Sequence, residues 1–278
     1  MNNHQILGYQ EGDSPIHRVN ATVKLVFLLL VSIAAMTTYD TRFLFITSIV
    51  SLVIFKISGI KWKQISFVVK FIAFFTIINI IAVYLFDPTY GVRLYKSNTV
   101  IWEGIGRFNL TAQELFYLFN LFLKYICTVP LALVFLLTTH PSHFASSLNK
   151  IGVNYKISYA IALALRYIPD IQETYFNISQ AQQARGFDMS KKANLFKRIK
   201  GVINIATPLI FTSIERIDTI STAMEIRQFG TKNKRTWYVS EPFRTSDYVI
   251  LIIAVLIVSV SLSLFFVNGS RFYNPWLS

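Results

Sequence analysis

The sequence predicts an all-α integral membrane protein: five transmembrane helices, with long amphipathic cytoplasmic helices inserted between the fourth and the fifth. Three observations predict it. Apolar residues make up 53% of the 278 residues, and 24 Phe and 14 Tyr exceed what a soluble domain of this length would bury. Mostly apolar stretches that approach the ~20 residues needed to cross a bilayer fall at 23–38, 42–57, 66–86, 115–138 and 247–267. Finally, the basic residues gather in particular connections, which orients the chain across the membrane.

Taken in order, the first stretch follows polar residues that include Glu11 and Asp13, not a compact basic region. It is therefore expected to remain as a span and not to be cleaved as a signal peptide. The connection 39–41 carries no Lys or Arg, whereas the next one holds Lys61 and Lys63 with Lys56 and Lys70 beside it. In 87–114, Arg93, Lys96 and Arg107 are offset by Asp87, Glu103 and Glu114. Between Ser142 and Arg244 stand 15 Lys/Arg against 7 Asp/Glu. Basic residues favour the cytoplasmic side, so the N-terminus and 142–244 are expected inside, and the first and third connections and the tail outside. The net charge of +13 then reflects this bias and attraction to anionic lipid, with no call for a nucleic-acid partner. The one cysteine, Cys127, lies in the fourth span, which excludes an intramolecular disulfide or a cysteine metal cluster.

The expected division is 1–140 for the first four spans, 141–246 for the cytoplasmic segment, and 247–278 for the last span and tail. In the middle part, apolar or small residues recur at 157, 161, 164, 168, 171, 175 and 178. That spacing keeps one stripe on one face and predicts a helix over 155–185, about 46 Å long. A second series runs through Ile203, Ala206, Ile210, Ile214, Ile217, Ser221 and Met224 to Arg227. Pro169 and Pro208 are expected to bend these helices and not to end them. Phe144, Leu148 and Ile151 suggest a short helix before Gly152, and Lys191–Asn194 with Phe196, Lys197 and Arg198 reads as a basic turn. Arg166, Asp170, Glu173, Glu215, Arg216 and Asp218 make a bilayer crossing here expensive. The long helices are thus expected along the inner membrane face or against partner proteins.

Both series end alike, in Ala181-x-x-x-Arg185-Gly186-Phe187 and Ala223-x-x-x-Arg227-Gln228-Phe229. A lone Arg at a helix end gains only about 0.3–1 kcal/mol from the dipole. The repeated frame points further, to a forked cation for a partner's carboxylate or exposed carbonyls. Ala184 and Gly186 would let a partner's backbone approach, and Phe187 and Phe229 would fill apolar pockets beside the ion pair.

With these ends, the run Leu165-Arg166-Tyr167-Ile168-Pro169, and the start His17-Arg18-Val19-Asn20 leading into Lys24-Leu25, the chain resembles the transmembrane T components (EcfT/CbiQ family) of energy-coupling factor transporters, over nearly its whole length. The resemblance implies a non-catalytic subunit of a bacterial plasma-membrane importer of vitamins and similar micronutrients, powered by two ABC-type ATPases. It implies Ala-Arg-Gly motifs near the ends of two coupling helices. Ala184, Arg185 and Gly186 match in full; Ile226, Arg227 and Gln228 keep only the Arg, which fits two non-identical ATPases and a second tip seated less deeply. It further implies ATPase contacts at Ala184, Arg185, Gly186, Phe187, Arg227 and Phe229. A small membrane S component, dedicated or interchangeable, would set the substrate and rest on Ile161, Ala164, Ile168, Ile210, Ile214 and Ile217, unless those residues pack the two helices together. No cofactor or metal is implied.

No Gly-x-x-x-x-Gly-Lys-Ser/Thr phosphate loop is present, so ATP hydrolysis by that route belongs to partners. A conventional ABC permease would couple through one short loop helix, and a polytopic membrane enzyme would have to use His140, His143 and an acid such as Glu173. The His140-Pro141-Ser142-His143 spacing is poor for a metal without nearby carboxylates. Lys70 and Lys124, in or near spans, are expected to pair structurally or to snorkel.

Overall fold

The computed structural model describes residues 12–104, 108–186, 195–232, 236–238 and 242–276. Helices dominate: α1 (Ala21–Thr37), α2 (Thr41–Ile57), α3 (Trp62–Phe86), α4 (Tyr90–Tyr95), α5 (Ala112–Thr138), α6 (Pro141–Lys150), α7 (Tyr155–Ala184), α8 (Leu195–Ile226) and α9 (Thr245–Val267), with a small hairpin of β1 (Val100–Trp102) and β2 (Leu110–Thr111). The chain forms two compact units, 1–140 with 241–278, and 141–240.

In the first unit, Ile65–Phe86, Ala112–Thr138 and Thr245–Val267 are long and apolar enough to cross a membrane. Helix α1 is apolar but shorter, and α2 has the same 17 residues. Arg42 and Lys56 near its two ends lower the hydropathy of α2, and polar residues line its buried face. Thr47, Ser48 and Ser51 are buried there, and Ser48 Oγ donates to the Leu123 carbonyl of α5. The Thr47 and Ser48 hydroxyls are satisfied by neighbouring carbonyls and by Cys127 Sγ, whereas the buried Ser51 Oγ makes no hydrogen bond within the chain.

Helix α5 is the central element, packed on α1, α2, α3 and α4, while α9 lies on α1. Ala34, Ala35, Phe43, Leu44, Leu123 and Cys127 form the core, with Ile257, Val258 and Leu264 of α9 against it. The small Ala34 and Ala35 let helices approach closely, as in other membrane bundles. Helix α3 is the opposite case: Phe67, Phe71, Phe74 and Phe75 all stand exposed, as a lipid-facing or partner-facing helix requires.

The helix ends are closed by distant side chains. Asp247 accepts from the Asn20 and Arg244 amides, joining the starts of α1 and α9. Asp40 caps α2 through the Arg42 and Phe43 amides, and its other oxygen accepts from Arg42 and from Asn268 beyond α9.

In the second unit, α6 closes at a turn in which Gly152 has φ +107°, and Asn154 then caps α7 through the Lys156 amide. Helices α7 and α8 run unbroken through Pro169 and Pro208. Helix α8 starts at Leu195, so Phe196, Lys197 and Arg198 are helical and not part of a turn. Lys and Arg are good helix formers, which is why a basic cluster is a weak turn signal. Residues 191–194 lie outside the described residues.

Candidate coupling surface

Helices α7 and α8 end in the same backbone figure. At α7, Arg185 is the capping residue: its amide donates to the Ala181 and Gln182 carbonyls, and the Gly186 amide donates to Gln183 at 2.9 Å. At α8, the Arg227 amide donates to Ala223, Gln228 to Glu225 at 2.8 Å, and Phe229 to Met224 at 2.9 Å. The residue after each Arg is left-handed, with φ +84° at Gly186 and +51° at Gln228. This is the turn that satisfies the last carbonyls of a helix. A Cβ built on Gly186 meets nothing within 4 Å, so the glycine serves the backbone angle and not a crowded neighbour. Gln228 adopts the same left-handed region at a cost of about 1 kcal/mol.

The arginines are thus placed equivalently, and both are exposed. Ala184 and Gly186 leave Arg185 bare, whereas Arg227 stands between the exposed Ile226 and Gln228. Phe229 is half-buried inside the segment, with its ring centroid 4.6 Å from Tyr159 and 5.6 Å from Tyr155. Phe187 lies outside the described residues.

Those aromatic contacts also locate the tips. Tyr155 and Tyr159 stand at the start of α7 and Arg185 at its end, so the two arginines sit near opposite ends of α7. At about 1.5 Å per residue the separation is roughly 40 Å. Arg216, in the second half of α8, lies 3.7 Å from the Asp170 carboxylate midway along α7 and over the Tyr167 ring. The opposite charges within the two helices were visible in the sequence; their pairing was not.

Ala164, Ile168, Ile210, Ile214 and Ile217 are exposed and Ile161 is half-buried. Tyr155, Ser158, Ser179 and Ile205 are buried instead. The stripe inferred from periodicity is therefore largely an open apolar face, of a kind that a membrane or a partner covers. Among the described residues, no group of three His, Cys, Asp or Glu side chains stands close enough to hold a metal.

The family model described as cobalt transport protein, CbiQ, matches residues 12–238. The chain belongs to the CbiQ family. Its relatives include proteins named energy-coupling factor transporter transmembrane protein EcfT. That of Streptococcus thermophilus is 29% identical over 279 residues, covering 94% of this chain and 97% of the relative. That of Streptococcus equi subsp. equi is 27% identical over 261 residues, covering 91% and 93%. That of Limosilactobacillus fermentum is 30% identical over 183 residues, covering 63% and 66%. The protein is a membrane protein and a T component, the transmembrane role in an importer of the energy-coupling factor type. In this T component the family match spans both helices that end in Arg185 and Arg227.

Proposed function

We propose that this T component couples two ABC-type ATPases, docked at Arg185 and Arg227, to a small membrane S component seated on the apolar face of α7 and α8. The observation that carries this reading is the pair of equivalently capped arginines roughly 40 Å apart on an antiparallel helix pair. Each is a rigid forked cation presented at a helix end, suited to a carboxylate or to exposed carbonyls in a groove. Two well-separated anchors suit two ATPase subunits, and the differing residues around Arg227 suit non-identical ones. When the ATPases close on ATP, their motion changes the angle between α7 and α8. An apolar Ile/Ala face then lets the S component slide or reorient.

ATP hydrolysis resides in the partners, and the S component sets the cargo, of the vitamin class. The fold is read as five spans with a cytoplasmic N-terminus. At 17 residues, α1 and α2 each measure about 25 Å, short for a ~30 Å hydrocarbon core but within the range that local thinning accommodates. Lys/Arg enrichment in 142–244 supports a cytoplasmic α6–α8. The test is co-purification with the tagged T component. Two ATPases and a small membrane protein support the reading. An Ala164→Glu variant should lose the S component and keep the ATPases; the reverse pattern would overturn the assignment of faces.

A further inference from the structure

The chain just beyond the Arg227 tip does not stay at the tip. Phe229 follows the left-handed Gln228 and packs back on Tyr159 and Tyr155, at the root of α7. Tyr159 also faces Trp237, with ring centroids 6.5 Å apart. The Trp237 indole Nε1–H donates to Asn149 Oδ1 at 3.0 Å, and Asn149 Nδ2 donates to the Val153 carbonyl at 2.9 Å across the α6–α7 turn. Tyr159, one of the two rings that receive Phe229, is therefore tied through Trp237 to that turn. Aromatic contacts of this kind add directional packing to apolar burial.

We propose that Phe229 is a positioning residue, which with Tyr159 and Trp237 clamps the Arg227 tip to the root of α7. This rests on the docking reading above and adds an inequality to it. A displacement of Arg227 is passed both to α8 and, through the clamp, to the near end of α7. A displacement of Arg185 acts on the far end of α7. Two partners moving in concert then apply a couple to α7, with the clamp as its near anchor. The strained angle at Gln228 fits this role, because it turns the chain back toward α7 where Phe229 must land. Phe229 is accordingly not the plug for an ATPase pocket; its ring is occupied within the segment.

The experiment uses the full complex in proteoliposomes and reads two quantities, ATPase retention and substrate moved per ATP hydrolysed. Phe229→Ala, Tyr159→Ala and Trp237→Ala should each retain the ATPases and lower substrate moved per ATP roughly three- to tenfold. Phe229→Tyr and Tyr159→Phe, which keep the rings, should restore the ratio. Unchanged coupling in all three alanine variants would overturn the proposal. So would loss of ATPase by Phe229→Ala to the extent seen for Arg227→Ala with Tyr159→Ala unaffected, because Phe229 would then be a direct contact. Retention of the ATPases by Arg185→Ala and Arg227→Ala together would instead sink the docking reading. In that event a Phe229→Cys/Tyr159→Cys pair reports on the clamp alone: efficient cross-linking upholds it and absence of cross-linking overturns it.

Discussion

Lys24 and Lys124 each close the helix on which the other stands. Lys24 Nζ, in the first turn of α1, donates to the Thr138 carbonyl at the end of α5 at 2.9 Å. Lys124 Nζ, within α5, donates to the Met36 carbonyl at the end of α1 at 2.7 Å and lies 3.2 Å from the centre of the Tyr39 ring. Helix C-termini have unpaired carbonyls and partial negative charge, so a cation there satisfies both. Lys124 is a buried cation that makes structural sense without any transported ion.

Removing either amine leaves a carbonyl without that donor in an apolar setting. Lys124→Met and Lys24→Met should each lower stability by about 1–3 kcal/mol. Lys124→Met should be the more harmful, because its site is 3% exposed and also loses the ring contact. Thermal unfolding in detergent measures this, and unchanged midpoints would refute the reciprocal capping.

Asp40 gives the fold a pH dependence. Burial alone would raise its pKa, but hydrogen bonds from Arg42 and Asn268, with the Arg42 charge, outweigh burial and hold the carboxyl below the ordinary value of 3.8. A depressed carboxylate pKa contributes stability that is fully present at neutral pH and is lost as pH falls through the folded value. The unfolding midpoint should therefore drop as pH is lowered below about 4. Asp40→Asn should lower the midpoint at pH 7 and flatten that acid slope.

The two helix ends predict opposite responses to substitution. Gly186→Ala forces a side chain into a left-handed angle and should cost about 1 kcal/mol. Gln228→Gly relieves the same strain and should stabilise by up to about 1 kcal/mol. Differential unfolding of the purified chain measures both, and equal effects of the same sign would show that the two turns are not alike in solution.

The helices were largely legible because apolar length and period are one-dimensional signals. Residues such as Ile210, Ile214 and Ile217 declare one apolar face by spacing, whereas their exposure is visible only in the structure. The connection 87–114 was not legible in that way. Its helix α4 and hairpin depend on contacts distant in sequence: Gln113 accepts from the Thr99 amide, and Glu114 accepts from Gly91 at 2.7 Å. At the tips, the sequence carries the repeated Arg but hides the left-handed Gln228, since a non-glycine in that conformation has no sequence mark. Nor could periodicity show that Phe229 turns inward to Tyr159, because that contact joins residues 70 positions apart.

The proposed topology rests on the charge distribution. Cys127 is fully buried, so a cysteine added elsewhere is the thiol that reacts. One at Asn98 should react with an impermeant reagent from outside intact cells, and one at Thr231 only after permeabilisation. Outside labelling at Thr231 would overturn the five-span arrangement.

The most direct test of the central claim is ATPase retention and uptake in a set of arginine variants. If each tip docks against a carboxylate, its removal leaves a buried charge unpaired, at about 2–5 kcal/mol. Arg185→Ala should sharply reduce both readouts, and Arg185→Lys should restore them only in part, since Lys lacks the fork. Arg227→Ala should be milder, because Ile226 and Gln228 crowd that tip. The double variant loses both anchors of a two-point attachment and should neither hold the ATPases nor import substrate. Normal assembly and uptake by the Arg185→Ala/Arg227→Ala protein would contradict the account.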